Sequence, residues 1–578
     1  MTYTPPTAEQ LFVLQHIARI DAMAAHDRFA AATPDLVEAI ANGVGEFAAD
    51  VYAPLNRIGD TQPPRWDNGK VIMPPGFKEA YQAYVEAGWG SIDGPAEYGG
   101  SGLPFTLAAL VTEALGTADM GFGLISILTP GAIHALMGHG SEEQRERWLP
   151  NLVSGAWNGT MNLTEPQAGS DVGALRSTAE PLNDGSGLYK IRGQKIYITF
   201  GEHDLTDNIV HLVLARTPGA PEGTRGISLF VVPKYRLDAD GHPTIDNGVR
   251  CVSIEHKLGI HASPTCVMAY GDDGDCLGEL VGAEMGGMRA MFTMMNNARL
   301  MVGCQGVQIA ERAYQAARRY AADRVQSALA GSPDKAPVTI DQHPDVRRML
   351  WTMRAQTEAI RALVYYAAAQ VDFGKLGDEA AALRAEILTP LAKAHATDVG
   401  CEVASIGIQV HGGMGFVEET GAAQHYRDAR IAPIYEGTNG IQAADLVGRK
   451  LGMAGGDGVR SLLADIAAGA GDSAALADLA ARLGALTDWL ERASMPDRLA
   501  GSYPYLTMVS VATCGWLMQI QARAAAESLA RGEGNADFLA AKQATARFYC
   551  DQIVPAALGL AAAVTAGDAA LPPVPMVA

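Results

Sequence analysis

Arg430-Ile-Ala-Pro-Ile-Tyr-Glu-Gly-Thr-Asn-Gly-Ile-Gln442 sets a single carboxylate, Glu436, between an apolar lead of Ile431, Ala432, Pro433 and Ile434 and a turn at Gly437 and Thr438, with polar Asn439 and Gln442 behind. An acid held against apolar walls has its ionised form disfavoured, so its pKa rises toward the range useful to a general base. Taken alone, that is a weak signal, and a Glu before Gly is more often the solvated start of a helix. The surrounding chain separates the two readings.

Around that stretch, from Gly286-Gly287 to about Lys450, the sequence runs in long Ala-, Arg- and Leu-rich segments that read as helices. Leu451-Gly-Met-Ala-Gly-Gly-Asp-Gly458 has the composition of a linker. Beyond it Leu476, Leu479, Leu483, Leu486 and Leu490 recur at alternating three and four residues, the apolar seam of a helical bundle. Leu571 to Ala578 is small and proline-bearing and reads as a loose tail. In the other direction, Gly159 to Leu280 carries short β-branched runs, Lys195 to Thr199, Ile209 to Ala215 and Ile227 to Val232, separated by turn clusters such as Asn183-Asp-Gly-Ser-Gly187 and Pro218-Gly-Ala-Pro221. Upstream the pattern is helical again. Thr7 to Ile20 reads as a short helix, Thr33 caps a second with Pro34 at its first position and Ala53-Pro54 as its stop, and a third follows Pro74-Pro75 to Ala87. Phe105 to Leu115 and Gly123 to Met137 read as buried helices, and Ser141 with Gln144 opens another through a capping box. The expectation is an α+β multidomain chain with these parts: an N-terminal helical extension (1–32), an α-domain (33–158), a central β-domain (159–282), a helical bundle carrying Glu436 (283–452) and an extra C-terminal helical domain (459–578).

Composition narrows the partners. A formal net charge of -20 on 578 residues argues against nucleic acid, because phosphate binding needs a basic stripe. Seven scattered cysteines with no C-x-x-C pair favour a reducing compartment and structural thiols. With no basic leader and no apolar run judged long enough for a bilayer, the expected location is the cytoplasm, with no membrane span. No metal site is expected, and the glycine and nucleophile signatures G-x-G-x-x-G, Walker loop, H-E-x-x-H and G-x-S-x-G are missing.

Four further stretches carry chemistry. In Leu163-Thr-Glu-Pro-Gln-Ala-Gly-Ser-Asp-Val172, Pro166, Gly169 and Ser170 make a tight turn that exposes backbone N–H groups and a hydroxyl, a concavity suited to a phosphate or a polar ring edge; an ordinary surface turn has the same composition. In Lys195-Ile-Tyr-Ile-Thr-Phe-Gly201, Tyr197 and Thr199 fall two apart on one strand face, where they would lie beside a flat ring, although a half-buried strand alternates in the same way. Asn296-Asn-Ala-Arg299 sits on a helix with Met288, Met291, Phe292, Met294 and Met295, either an adaptable slot with Arg299 at its mouth or plain core. Gln409-Val-His-Gly-Gly-Met-Gly-Phe416 lets backbone approach a ligand at Gly412 and Gly413.

Together these stretches resemble the acyl-CoA dehydrogenase family of flavoenzymes. Leu163–Val172, Lys195–Thr199, Gln409–Phe416, Tyr426-Arg-Asp-Ala-Arg430 and Ile434–Gln442 occur in the family's order and at about its spacing, over roughly residues 35 to 450. The resemblance implies a helical domain, a β-barrel-like domain and a helical bundle holding FAD. The extra C-terminal domain is similar to that of the longer subgroup, which includes 3-methylmercaptopropionyl-CoA dehydrogenases and broad-range enzymes. By position, Glu436 is implied as the catalytic base that takes the α-proton of an acyl-CoA thioester. The implied FAD contacts are Met161, Leu163, Thr164, Gly169, Ser170, Tyr197, Ile198, Thr199 and Thr438, with Arg324, Gln409, Gly412 and Gly413 reaching the FAD of a neighbouring subunit. Ser170, Arg299, Tyr435 and Gly437 are implied at the substrate. The resemblance further implies a trans-2-enoyl-CoA product and an electron-transfer flavoprotein as electron acceptor, and the expected assembly is a homodimer. The expected substrate is 3-methylmercaptopropionyl-CoA or a short or medium acyl-CoA; the alternatives are a long-chain or broad-range fatty acyl-CoA dehydrogenase, or an acyl-CoA oxidase or flavin monooxygenase of the same fold. A DNA-binding flavoprotein is disfavoured because the extension after Gly458 has no basic run, and a non-catalytic scaffold because Glu436 is kept.

Overall fold

The computed structural model describes residues 3–574, so the last four residues of the proline-bearing tail lie outside the described residues. The chain divides into two compact units, Gly43–Ala298 and, made of two segments, Met1–Asn42 with Arg299–Ala578.

The unit Gly43–Ala298 is built on one eight-stranded sheet. Its strands are β1 (Trp157–Asn162), β2 (Thr178–Pro181), β3 (Leu188–Thr199), β4 (Asn208–Ala215), β5 (Ser228–Pro233), β6 (Val249–Ile254), β7 (Thr265–Tyr270) and β8 (Leu277–Val281). They run in the order β6-β7-β3-β8-β5-β4-β1, with β2 added alongside β3. All pairings are antiparallel except β1 with β4. Alternation decides how the sheet buries itself. On β4, Val210, Leu212 and Leu214 enter a core shared with Leu136, Trp148 and Leu152, while Val213 and Ala215 enter a second core with Phe230, Met268 and Tyr270. Both faces are covered, which is why β4 is apolar on both sides, with Asn208 and His211 its buried polar residues.

Helix Phe105–Ala118 is buried at every position but one. The capping box at Ser141 forms, with Gln144 N–H donating to Ser141 Oγ and Gln144 Oε1 accepting from the Ser141 N–H. One expectation needs correcting. Helical residues Met120–His139 are long and apolar enough to cross a membrane by length and hydropathy. In this fold 72% of that stretch is buried inside the protein, its apolar faces spent on Leu149, Leu152 and the sheet.

The other unit is helical. Its main elements are α1 (Gly287–Asp323, of which the part from Arg299 belongs here), α2 (Pro344–Lys375), α3 (Glu379–His411), α4 (Asn439–Gly448) and α5 (Ser502–Arg531). The leucine seam holds: Leu476, Leu479, Leu483, Leu486 and Leu490 are all buried on helix Ala474–Arg492. Two readings change. Thr7 to Ile20 is broken, because Arg19 takes the left-handed conformation (φ 56°) and starts a new turn. Leu451–Gly458 is no free linker: Leu451 is buried, Lys450 ion-pairs with Glu386 at 2.8 Å, and left-handed Ala454, Gly455 and Gly456 turn the chain into helix Asp457–Gly469. The N-terminal segment and C-terminal domain are joined by a buried cation, Lys542, whose Nζ meets Glu9 at 2.7 Å and Glu358 of α2 at 2.8 Å. All seven cysteines are free thiols, and all but Cys401 are buried.

Candidate active site

In the helical unit, the loop between Ala429 and α4 carries Glu436. It bends because Glu436 (φ 53°) and Gly437 (φ 81°) are both left-handed. A glutamate in that region is strained and persists only where its surroundings impose it. The imposing contacts are visible. The Asn439 N–H closes the loop on the Pro433 carbonyl at 3.0 Å, and the Glu436 carbonyl accepts from Arg299 Nε at 3.3 Å and Gln442 Nε2 at 3.4 Å. A side chain at Gly437 would be strained by its left-handed backbone (φ 81°), and its Cβ, 2.8 Å from Gln442 Nε2, would push that amide aside. Thr438 caps α4 by accepting from the Ile441 N–H.

Burial raises the pKa of the Glu436 carboxyl above the usual carboxylate range, against the charges of Arg299 and Lys393. Lys393, in the middle of α3, is completely buried and donates to Asn439 Oδ1 at 2.9 Å. Burial brings its ammonium down to about 7, opposed by Glu436 and Asp398. Asn439 is a node: its Nδ2 reaches Ala394 O at 3.0 Å and Asp398 Oδ1 at 2.8 Å. The Tyr503 hydroxyl of α5 donates to Asp398 Oδ2 at 2.6 Å. A cavity of about 550 Å³ opens beside the loop, lined by Thr438, Gly440, Arg430, Asp398, Glu402 and Tyr503.

Not every residue singled out in the sequence stands free here. Arg299 is engaged with the Glu436 backbone, and the Tyr435 hydroxyl is bound to Gln305 Oε1, which leaves a half-buried ring next to Glu436 in the chain. Arg324, at the end of α1, donates to Gln326 Oε1 at 3.2 Å. Gln409, Gly412 and Gly413 end α3 on an exposed surface, followed by Met414 (49% exposed) and Phe416 (88%).

In the sheet unit, Leu163–Ser170 and the end of β3 form the other group. Glu165 and Ala168 exchange backbone hydrogen bonds (3.1 and 2.9 Å), which makes the turn. Ile196 N–H donates to Thr164 O at 2.9 Å, tying the turn to β3. Opposite Val267, β3 gains a residue, so Ile196 and Tyr197 face one partner and the strand bulges. Tyr197 is left-handed (φ 61°) and 59% exposed, between buried Lys195 and Ile198. Thr199 is half-buried, Met161 is buried on β1, and a Cβ at Gly169 would meet nothing within 4 Å.

Sequence reasoning quoted Glu165 and Lys195 inside these motifs without seeing their part. Lys195 Nζ, fully buried, contacts Glu165 Oε1 at 2.7 Å and Leu163 O at 3.2 Å. The same carboxylate accepts from Ser177 Oγ (2.7 Å) and Arg176 N–H (2.7 Å). Burial alone would raise the Glu165 pKa, but Lys195 and these donors outweigh it and hold the carboxyl at about 2. Lys393 was missed too, although a lysine inside the run Leu391-Ala-Lys-Ala-His-Ala-Thr397 was a legible signal.

The comparisons with known proteins bear on this arrangement. Residues 35–156, 160–272 and 285–451 match the N-terminal, middle and C-terminal domains of acyl-CoA dehydrogenase, and 459–573 match the domain described as acetyl-CoA dehydrogenase C-terminal like. A 3-methylmercaptopropionyl-CoA dehydrogenase of Ruegeria pomeroyi is 47% identical over 96% of both chains. The chain belongs to the acyl-CoA dehydrogenase family. A butyryl-CoA dehydrogenase of Syntrophomonas wolfei is 38% identical over 90% of this chain and 89% of its own. The fold is also that of an acyl-CoA dehydrogenase from Bacillus anthracis solved with FAD, with a TM-score of 0.73 at 23% identity over 92% of this chain and 89% of that one. Members of the acyl-CoA dehydrogenase family are FAD-dependent oxidoreductases.

Proposed function

We propose that this acyl-CoA dehydrogenase converts 3-methylmercaptopropionyl-CoA to its trans-2-enoyl-CoA with Glu436 as the base, that it works in the cytoplasm as a homodimer, and that it passes electrons to an electron-transfer flavoprotein. The observation that carries the reading is Glu436 itself, a strained carboxylate with a raised pKa, fixed by contacts to its backbone rather than to its oxygens. A carboxylate neutralised by a direct ion pair would be a poor base; this one keeps its oxygens for the substrate. The name and 47% identity of the Ruegeria pomeroyi relative favour the thioether substrate.

The residues present suit FAD. An exposed Tyr197 ring between buried Lys195 and Ile198 offers a stacking face, and the open turn at Gly169 and Ser170 offers backbone donors and a hydroxyl. Met161, Leu163, Thr164, Gly169, Ser170, Tyr197, Ile198 and Thr199 would hold it. Bound FAD supplies the acceptor for the β-hydrogen, which leaves with its electron pair. The chain's own part is the proton: Glu436 takes it from the α-carbon, and the electron pair released there becomes the new double bond. Tyr435 and Gly437 flank the base, and Arg299 keeps the Glu436 carbonyl in place beside the substrate. Exposed Met414 and Phe416, next to Gln409, Gly412 and Gly413, support a second subunit at that surface. Light scattering should give a dimer, and a tetramer would remove that part of the reading.

The deciding experiment is anaerobic bleaching of the flavin by 3-methylmercaptopropionyl-CoA, with octanoyl-CoA as competitor. Wild type should bleach faster with the thioether substrate, and Glu436→Gln should lose on the order of 10²–10⁴ in rate, the usual contribution of a positioned base. Equal bleaching by the variant would remove Glu436 from the mechanism. Rapid oxygen consumption without an added acceptor would favour an oxidase.

A further inference from the structure

We infer that Lys393, Asn439, Asp398 and Tyr503 form a positioning network through which the C-terminal helical domain holds the Glu436 loop and sets how readily Glu436 takes a proton. The inference rests on the reading of Glu436 as the base.

The network is continuous. Tyr503 Oη donates to Asp398 Oδ2 (2.6 Å), Asp398 Oδ1 accepts from Asn439 Nδ2 (2.8 Å), and Asn439 Oδ1 accepts from Lys393 Nζ (2.9 Å). The amide is oriented without ambiguity. Its nitrogen faces a carbonyl and a carboxylate, which can only accept, and its oxygen faces an ammonium, which can only donate. Asn439 also closes the base loop through its own N–H to Pro433 O. One residue therefore clamps the loop and receives the buried cation.

The chemistry of the node matters. A carboxylate at 439 would neutralise Lys393 by direct contact. An amide satisfies the ammonium's hydrogen bond yet leaves its charge intact, so the field of Lys393 acts on Glu436 without capping its oxygens. Tyr503 adds the extension's share, because its hydroxyl stabilises the Asp398 anion and that anion in turn favours the charge on Lys393. Other ionisable groups face the same site: Arg299 from α1, Glu386 from α3, Arg430 at the start of the base loop, Tyr435 beside Glu436, Asp445 from α4 and Arg449 just past its end. Of these, Arg299 acts on Glu436 more strongly than Lys393 does. The expected effects are therefore shifts, with activity retained.

The test follows the rate of flavin bleaching across pH for wild type, Lys393→Met, Lys393→Arg and Tyr503→Phe, and backbone hydrogen exchange of residues 433–442 in the same proteins without substrate. Rate rises with pH as Glu436 ionises. Loss of the Lys393 charge should move that acid limb upward by about one pH unit, the low end for a nearby opposite charge. Lys393→Arg should keep the limb near its wild-type position, and Tyr503→Phe should move it in the same direction by less. Exchange over 433–442 should quicken in Lys393→Met and Tyr503→Phe. A Lys393→Met profile that superimposes on wild type, with exchange unchanged, overturns the network. If Lys393→Met does not fold, Tyr503→Phe decides alone, and its matching wild type in both readouts overturns the extension's role. Bleaching of Glu436→Gln at the wild-type rate instead sinks the base, and exchange then judges only whether the network holds the loop.

Discussion

Lys195 in the sheet unit and Lys393 in the helical unit are both fully buried, and each serves a carboxylate, but at different ranges. Lys195 touches Glu165 at 2.7 Å and the pair is finished with hydrogen bonds from Ser177 and Arg176. Lys393 donates to the neutral amide of Asn439 and acts on Glu436 by its charge alone. Contact drives the Glu165 pKa down to about 2 and makes a clamp on the turn at Leu163–Ser170. Separation leaves the Glu436 pKa raised and its oxygens free. The same two residue types thus build a fixed support in one place and, in the other, a carboxylate with a raised pKa and free oxygens, and the spacer amide makes the difference.

Breaking the contact pair should give the largest change in stability. Lys195→Met leaves Glu165 as a buried charge without its cation, a loss of about 3–5 kcal/mol in comparable pairs. The protein should melt well below wild type and release flavin more easily, because the turn and β3 are held together by that lysine. A loss under about 1 kcal/mol, the level of an exposed pair, would mean the surrounding donors alone hold the turn.

This contrast also marks how far the sequence could be read. The order of helical, β and helical segments, the leucine seam and the capping box at Ser141 follow from local periodicity and were legible. Glu436 was legible as a lone acid in an apolar stretch. Its left-handed backbone and the support it receives from outside the loop were not, because Arg299, Lys393 and Tyr503 lie between 43 and 137 residues away in the chain. The bulge at Tyr197 was hidden for the same reason: a period-two pattern cannot show that a partner strand slips by one residue. Leu451–Gly458 looked like a linker because glycines mark both flexible segments and tight packed turns.

The two carboxylates should also respond to pH with opposite signs. Glu165 has a folded pKa near 2, below its ordinary value of 4.5, so its contribution to stability is full above that ordinary value and is lost as pH falls toward 2. Wild type should therefore exceed Glu165→Gln in melting temperature more at pH 6 than at pH 3. Glu436 has a raised folded pKa, so the native state is penalised as pH rises through it. Glu436→Gln should gain on wild type between pH 4 and pH 7. Melting curves of both variants across that range check the comparison, and slopes of the same sign would show that the two carboxylates share one environment after all.

The smallest effect belongs to the neutral part of the base loop. Thr438 Oγ1 accepts from the Ile441 N–H at 3.2 Å and caps α4, with no charge involved. Thr438→Val keeps the shape and removes the acceptor, which should cost about 1 kcal/mol, the usual value for a lost N-cap. That is well below the loss expected for Lys195→Met, although both residues anchor a loop. The Glu436 loop has other ties, the Asn439 N–H to Pro433 O and the Arg299 and Gln442 bonds to the Glu436 carbonyl, so removing a single cap leaves its bend in place. A melting shift for Thr438→Val as large as that for Lys195→Met would show that the loop hangs on its cap, and that neutral bonds carry as much there as the buried ion pair does in the sheet.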